Sequence, residues 1–104
     1  MLYYTRKVIL ALLETFGGRL TAKCLQKYLF LFTRKQVEKS FDFVPYKYGC
    51  FSFQANQDIV TLSKYGYLTI SEFKEGRFVE LNEGDATFFS SLNSTDQQFL
   101  VDIK

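Results

Sequence analysis

Residues 51–81, FSFQANQDIVTLSKYGYLTISEFKEGRFVEL, combine two kinds of periodicity within one short stretch. In the first half, Ala55, Ile59 and Leu62 recur at helical spacing, Ser52 is available as an N-cap, and Gly66 is placed to end the helix. In the second half, two runs rich in β-branched and aromatic residues flank a short glycine-containing connection, which is typical of a β-hairpin. The stretch therefore predicts a helix followed directly by a hairpin over residues 67–81.

Two more helices are predicted before this stretch. The first runs from about Tyr3 to Phe16, where apolar residues follow a helical stripe, and Gly17-Gly18 then supply the left-handed backbone that commonly ends a helix. The second has the sequence TAKCLQKYLFLFTRKQ, with Thr21 as its N-cap. Between them, Arg19-Leu20 reads as a short extended piece. We expect it to pair with the hairpin, because two strands alone make a marginal sheet.

Helix, short strand, helix, helix and hairpin is the element order of a winged helix. We therefore predict an α+β fold of the winged helix-turn-helix type, with a three-helix core, a C-terminal β-hairpin wing and a trailing helix. The trailing helix lies in STDQQFLVDIK, where Ser94 or Thr95 could cap it. We assign residues 1–82 to the winged-helix-like domain. Residues 83–104 are interpreted as a linker and the start of a C-terminal helix or of a following domain.

Composition places the chain among globular proteins and argues against a membrane protein. It has 104 residues, of which 47% are hydrophobic and 23% charged. No apolar run approaches the ~20 residues of a membrane span. The apolar start, MLYYTRKVILALLETF, is interrupted by Glu14 and is followed by no small-residue cleavage site, so it predicts a helix rather than a signal peptide. We expect a cytoplasmic protein.

The residue types needed for common catalytic and metal sites are missing. The sequence contains no histidine, which excludes imidazole-based triads and zinc sites of the Cys/His type. Its two cysteines, Cys24 and Cys50, are interpreted as reduced, partly buried thiols. Gly17-Gly18 is not a phosphate-binding loop, because no Lys-Ser or Lys-Thr pair follows it at the required spacing. We expect no enzymatic activity, no metal and no cofactor.

Charge is distributed unevenly along the chain. The net charge is +2, yet residues 1–64 carry ten Lys/Arg against four Asp/Glu, whereas residues 65–104 carry three against seven. A basic first part suits a surface that binds a polyanion, since neutralising phosphates releases counterions. An ordinary solvated surface, with charged residues distributed unevenly along the chain by chance, explains the same excess equally well.

Three groups of polar residues are candidates for contacting nucleic acid. On the second helix, three cations form a row around Phe30; on the third helix, amides and a hydroxyl occupy the outer face together with Asp58; on the hairpin, two cations lie near the turn. Glutamine can bond adenine bidentately, and threonine or lysine can meet bases or phosphates. For each residue singly, an ordinary polar helix face is the alternative. The candidates are Lys23, Lys27, Arg34, Gln54, Gln57, Thr61, Lys64, Lys74 and Arg77.

The segment of residues 37–50, which joins the second and third helices, is rich in aromatic residues. Pro45 argues against a helix there, and a connection this long must hold itself in place with its own side chains. The aromatics are therefore interpreted as anchors that pack the segment over Phe30. The alternative is a platform on which unpaired bases stack, with Lys39 and Lys47 nearby for phosphate. The aromatics concerned are Phe41, Phe43, Tyr46 and Tyr48.

Three short motifs resemble a known family. They are CLQKYLFLF at 24–32, VPYKYGCFS at 44–52 and KYGYL at 64–68. Together they resemble the winged-helix-related Panacea domain of bacterial antitoxins, and they are also similar to short N-terminal modules of bacterial proteins of unknown function. The resemblance covers about residues 20–70. It implies a bacterial origin and a role in regulation or in neutralising a partner protein.

Two functions are therefore expected. The first is sequence-specific binding of double-stranded DNA by a winged helix, as in a bacterial transcriptional regulator or DNA-targeting domain, acting as a homodimer or as part of a longer chain. The alternative is a protein–protein interaction module, an antitoxin-like neutralising or adaptor domain. Its contact residues would be Tyr3, Leu10, Phe30, Phe88 and Phe89.

Overall fold

A computed structural model of the protein describes residues 3–46, 49–82 and 88–104. Within these residues the chain forms an α+β fold with four α-helices and a small antiparallel sheet. The elements are α1 (Tyr4–Thr15), β1 (Arg19–Thr21), α2 (Ala22–Lys35), β2 (Val44–Tyr46), β3 (Gly49–Phe51), α3 (Phe53–Lys64), β4 (Leu68–Phe73), β5 (Gly76–Leu81), a short 3-10 helix (Phe89–Ser91) and α4 (Ser94–Ile103). None of these helices is both long enough and apolar enough to cross a bilayer.

Local side-chain chemistry sets the ends of the helices largely as predicted. The Thr21 hydroxyl accepts a hydrogen bond from the backbone N–H of Cys24 at 3.1 Å and so caps α2. The Ser52 hydroxyl accepts from the N–H of Ala55 at 3.1 Å and caps α3 in the same way. Beyond the end of α3, Gly66 has φ of 85°, a conformation that favours glycine. Both predicted caps are confirmed.

The cap of α4 differs from the prediction. Neither Ser94 nor Thr95 caps this helix, because both lie inside its first turn. The N-cap is Asn93, whose side-chain oxygen accepts from the N–H of Asp96 at 2.8 Å. Asparagine is as good an N-cap as serine and a better one than threonine, so capping propensity does not favour Ser94 or Thr95 over the residue before them.

The three-stranded sheet has the order β1-β5-β4, and both of its pairings are antiparallel. Strand β1 pairs with β5 through Arg19 opposite Glu80 and Leu20 opposite Val79. The hairpin turn is Lys74-Glu75, flanked by paired Phe73 and Gly76. The predicted hairpin and its pairing with Arg19-Leu20 are therefore confirmed.

A second, smaller hairpin occupies part of the segment between α2 and α3. Strands β2 and β3 pair antiparallel, with Val44 opposite Phe51 and Pro45 opposite Cys50. The sequence did not predict this hairpin, because three-residue strands are too short to show an alternating pattern and proline lowers strand propensity. In a two-stranded ribbon proline is tolerated, since its missing N–H can face solvent.

Helix α1 lies at the centre of the core. All six residues from Val8 to Leu13 are fully buried, and α1 packs against α2, α3, α4, β1, β5 and the 3-10 helix. A helix that is apolar on all sides is buried on all sides. Leu10, predicted to be a partner contact in the protein-interaction alternative, is fully buried and cannot form part of an exposed surface. This corrects the sequence interpretation.

Helix α4 packs against α1 and α2 and shares their core. Leu92, just before it, is 4% exposed and Leu100 is fully buried, and the ring of Phe99 makes an edge contact with Phe32 at 6.4 Å between centroids. The described part of residues 83–104 therefore contributes side chains to the same hydrophobic core as residues 3–82.

A buried carboxylate also fixes α4. Asp96 accepts hydrogen bonds from the hydroxyl of Tyr4 at 2.6 Å and from the amide of Gln36 at 3.2 Å. Partial burial, together with the hydrogen bond to Asp96, raises the pKa of Tyr4 to about 12. The contact ties α4 to the first turn of α1 and to the end of α2.

Candidate nucleic-acid interface

Four elements meet around one recess of about 170 Å³. Its walls come from the start of α2, the second hairpin, the first half of α3 and strand β5. The residues that line it are Ala22, Lys23, Gln26, Tyr46, Gly49, Cys50, Phe51, Asn56, Ile59, Arg77 and Val79. The recess therefore brings Lys23 and Arg77, two of the predicted site residues, to one place on the molecule.

Gln26 holds the start of α3 against α2. Its side-chain amide donates to the carbonyl of Ser52 at 3.1 Å and accepts from the N–H of Ser52 at 2.9 Å. Gln26 is 6% exposed and Ser52 fully buried, so both hydrogen bonds are shielded from water. Sequence reasoning missed Gln26; the available signal was a glutamine among the apolar residues of CLQKYLFLF.

Asp58 does not lie on the outer face of α3, where it was predicted. It is buried against α1, where it accepts a hydrogen bond from the hydroxyl of Thr5 at 3.2 Å and pairs with the guanidinium of Arg6 at 3.3 Å. The two partners are more than fifty positions away in sequence, so helical spacing on α3 alone could not reveal them. Because Asp58 is buried, the exposed face of α3 carries one anion fewer than predicted.

The outer face of α3 is polar as predicted, but its residues differ in their exposure and in their distance from α1. Gln54, Gln57 and Lys64 are exposed, and Thr61 is half-buried. At 3.6 residues per turn, Gln54 and Thr61 lie next to Asp58 around the helix and are therefore the two of these four residues nearest to α1. Gln57 and Lys64 lie in the middle of the face.

Asn56 occupies the opposite edge of α3, where it lines the recess. Its side chain makes no hydrogen bond with another residue in the described ranges, so the amide is available to a ligand. Sequence reasoning did not select Asn56, because the inward and outward faces of α3 were assigned without knowing where β5 would pack.

The predicted cations fall into two groups along α2. Lys23 is exposed at the rim of the recess, and Lys27 is exposed one turn further on. Arg34 lies about 16 Å along the helix from Lys23 at 1.5 Å per residue. There its guanidinium stacks 5.6 Å from the ring centroid of Phe30, and Arg34 borders a separate depression with Ile103 of α4. The structure does not bring Arg34 to the recess.

The two cations of the β4–β5 hairpin are both exposed. The guanidinium of Arg77 lines the recess and also pairs with Glu72 across the hairpin at 2.8 Å. Because both partners of this pair are substantially exposed, the pair adds little stability, although the carboxylate offsets part of the Arg77 charge. Lys74 lies in the turn itself.

The aromatics of residues 37–50 divide between anchoring and exposure. Phe41 is 2% exposed, and Phe43 is half-buried with its ring in edge contact with Phe30 at 5.4 Å. These two anchor the segment as predicted. Lys39 binds the carbonyl of Thr33 at the end of α2 at 3.2 Å. Tyr48 and Lys47 lie outside the described residues.

Tyr46, by contrast, is 51% exposed and is not an anchor. Its ring lies 5.1 Å from that of Phe51, which in turn lies 4.9 Å from that of Phe53 at the start of α3. Phe53 is 60% exposed. The three rings, which we call the aromatic cluster, lie beside the N-terminus of α3. They pack against one another rather than into the hydrophobic core.

The residues of the protein-interaction alternative do not form an exposed patch. Phe30, Phe88 and Phe89 are half-buried and pack with the hydrophobic core or the 37–50 segment. With Leu10 fully buried, Tyr3 is the one member of the five that is largely exposed, and the guanidinium of Arg6 stacks 4.8 Å from its ring centroid.

In the part of the chain that the structure describes, no three acidic or thiol side chains lie close enough together to hold a metal ion. Comparison with family models, curated proteins and solved structures finds no match to this chain.

Proposed function

We propose that this chain is a winged-helix module that binds duplex DNA through α3 and the β4–β5 hairpin, as a transcriptional regulator or DNA-targeting domain. The element order and the strand order β1-β5-β4 support the winged-helix assignment, since the hairpin that follows α3 then serves as the wing. The observation that carries the proposal is the convergence at the recess. Lys23 of α2, Arg77 of the wing and Asn56 of α3 all line it.

In the proposed complex, the exposed face of α3 lies along the major groove. Gln57 is central on that face and Asn56 lies at the edge nearest the wing, and each carries an amide that can bond adenine bidentately. Burial of Asp58 against α1 removes the carboxylate that phosphate would otherwise repel. The candidate face is therefore more favourable to a polyanion than its sequence suggested.

Phosphate contacts would come from α2 and the wing, which meet beside the Asn56 edge of α3. Lys23 and Lys27 lie on the first turns of α2, and Lys74 and Arg77 lie on the wing. Cations beside a groove-facing helix position the duplex without reading its sequence. Arg34, at the other end of α2, is not part of the proposed interface.

The test is a salt titration on two duplexes, one selected from a random library by the wild-type protein and one with the same bases scrambled. Lys23→Gln should weaken binding to both duplexes alike and reduce the salt slope by about one unit, because one phosphate contact is lost. Gln57→Ala should cost about 1–3 kcal/mol on the selected duplex and much less on the scrambled one. Lys35→Gln is the matched control, because it removes a cation from the far end of the same helix.

Absence of salt-dependent binding to any duplex between about 50 and 200 mM salt would refute the proposal. Equal effects of Lys23→Gln and Lys35→Gln would also contradict the proposed orientation, since they would report net charge alone.

A protein-interaction module is the second candidate function, and the aromatic cluster favours it. Tyr46 and Phe53 expose more than half of their area beside one another, and such clusters are common at interfaces. The neutralising or adaptor role that the sequence resemblance implies would use this cluster instead of the five residues first expected. It becomes the leading function if no duplex is bound.

A further inference from the structure

We infer that the recess is a binding site for a small carboxylic acid whose apolar body is about the size of one ring. Its volume is about 170 Å³. Apolar protein cavities of roughly 150 Å³ accept a benzene molecule. Ile59, Val79 and the ring of Phe51 supply apolar wall, and Tyr46 supplies a second ring on which a flat ligand can stack. The size and lining therefore suit one planar apolar group.

The charge at the recess selects an acid over a neutral compound. Among the described residues, the charged side chains that line it are Lys23 and Arg77, and no carboxylate does. Arg77 uses its Nε and Nη2 atoms to bind Glu72, which leaves Nη1 outside that pair. The Asn56 amide can add a neutral donor. A carboxylate at the rim would thus meet cations while its ring occupies the apolar interior.

Ligand binding would oppose DNA binding, a consequence that rests on the function proposed above. Lys23 and Arg77 line the recess, and both are also proposed phosphate contacts. A carboxylate bound between them neutralises charge that the duplex would otherwise use. By linkage, the acid lowers duplex affinity by the same factor as the duplex lowers affinity for the acid.

Cys50 provides a readout of occupancy that does not depend on DNA. It is an exposed free thiol in the wall of the recess, and Cys24, the other free cysteine, is half-buried. In a Cys24→Ala background, the rate of alkylation by iodoacetamide, a neutral reagent, reports access to Cys50 alone. A ligand in the recess should slow that rate in a saturable manner, by about tenfold when its concentration is ten times Kd.

The probes are benzoate and its neutral counterpart benzyl alcohol, compared at constant ionic strength. Benzoate should protect Cys50 at concentrations about tenfold lower than benzyl alcohol. Lys23→Gln and Arg77→Gln should each weaken protection by benzoate about five- to tenfold and leave protection by benzyl alcohol unchanged. Lys35→Gln, remote from the recess, should change neither. In wild-type protein, the NMR amide signals of Asn56 and Val79 should shift with the same dependence on benzoate concentration.

Failure of benzoate to protect Cys50 at roughly 10 mM, where a Kd of about 1 mM would give clear protection, would overturn the inference. Equal protection by benzoate and benzyl alcohol would overturn the assignment of an acid. Ala22→Phe, which places a ring inside the recess, should abolish protection by both probes while the circular dichroism spectrum stays that of a folded protein. Protection that persists in that variant would contradict the site, and the NMR shifts test it separately if the variant does not fold.

The two proposals can fail separately. Protection of Cys50 by benzoate without binding of any duplex would support the recess as a site and refute the DNA-binding function. Duplex binding without protection of Cys50 would support the DNA-binding function and refute the recess as a ligand site. If both occur, benzoate should weaken duplex binding in the wild-type protein and do so less in Lys23→Gln.

Discussion

Replacing Gln26 with leucine tests the contact that places α3 relative to α2. The change keeps side-chain size but removes both hydrogen bonds to Ser52. The carbonyl of Ser52 retains the N–H of Asn56 as a donor at 3.1 Å, whereas the N–H of Ser52 loses the Gln26 acceptor inside the core. An orphaned buried donor costs about 1–3 kcal/mol, and the second lost bond about 0.5–1.5 kcal/mol.

Part of that loss is offset because leucine is more favourably buried than an amide. We therefore expect Gln26→Leu to lower the free energy of unfolding by about 2–3 kcal/mol, which corresponds to a Tm lower by roughly 10 °C or more in a domain of this size. Urea unfolding followed by circular dichroism measures the loss. Gln57→Leu, the same change at an exposed helical position, should stay within about 0.5 kcal/mol of the wild type.

A conservative variant adds a pH signature to the same test. In Gln26→Glu, a protonated carboxyl can both donate and accept, as the amide does, whereas a carboxylate can only accept and would face the carbonyl of Ser52. Folding therefore raises the pKa of the introduced carboxyl above its unfolded value of about 4.3. The stability that the protonated form contributes is complete below that value and is lost as pH rises through the folded pKa.

The role assigned to the Gln26–Ser52 hydrogen bonds is refuted if the free energy of unfolding of Gln26→Leu is within about 0.5 kcal/mol of the wild-type value. It is also refuted if the defect in Gln26→Glu, relative to the wild type, is the same at pH about 4 as at pH about 7, since the proton would then supply no hydrogen bond.

Three further predictions concern the anchors, α4 and a tyrosine. Phe41→Ala should lower the free energy of unfolding by about 3–5 kcal/mol, because its ring is buried, and Tyr46→Ala by less than about 1 kcal/mol. Similar losses for the two variants in denaturant unfolding would contradict the assignment of Phe41 as an anchor and Tyr46 as an exposed residue. Leu100→Ala should cost about 2–5 kcal/mol and the adjacent exposed Val101→Ala about 0.5 kcal/mol or less; a small loss at Leu100 would mean that α4 does not share the core. Tyr4 should ionise near pH 12. Its raised pKa contributes stability that is complete below about pH 10 and lost as pH rises through the folded value. An ultraviolet titration should show that component in the wild type and lose it in Tyr4→Phe; an unchanged titration would contradict the assignment.

Sequence by itself determined the features that depend on nearby residues. Thr21 and Ser52 cap helices because a hydroxyl reaches an N–H three residues ahead, and Gly66 adopts a backbone angle that other residues avoid. The β4–β5 hairpin follows from its short turn and its β-branched and aromatic runs. The pairing of Leu20 with this hairpin joins residues distant in sequence, and it was predicted because two strands alone make a marginal sheet. Helical spacing likewise identified Gln57 and Lys64 on the exposed face of α3.

Tertiary structure alone decided which neighbour each face would meet. Asp58 has a polar side chain at an apparently outward position, yet α1 covers it and supplies Arg6 as its partner. Leu10 lies off the apolar stripe of α1, and it is buried because other elements surround that helix. The recess depends on residues of α2, α3 and β5 that are distant in sequence, so Asn56 gave no local signal. A periodic pattern specifies that a face is buried or exposed, but the partner is set by how the elements pack together, because packing joins residues that the chain keeps far apart.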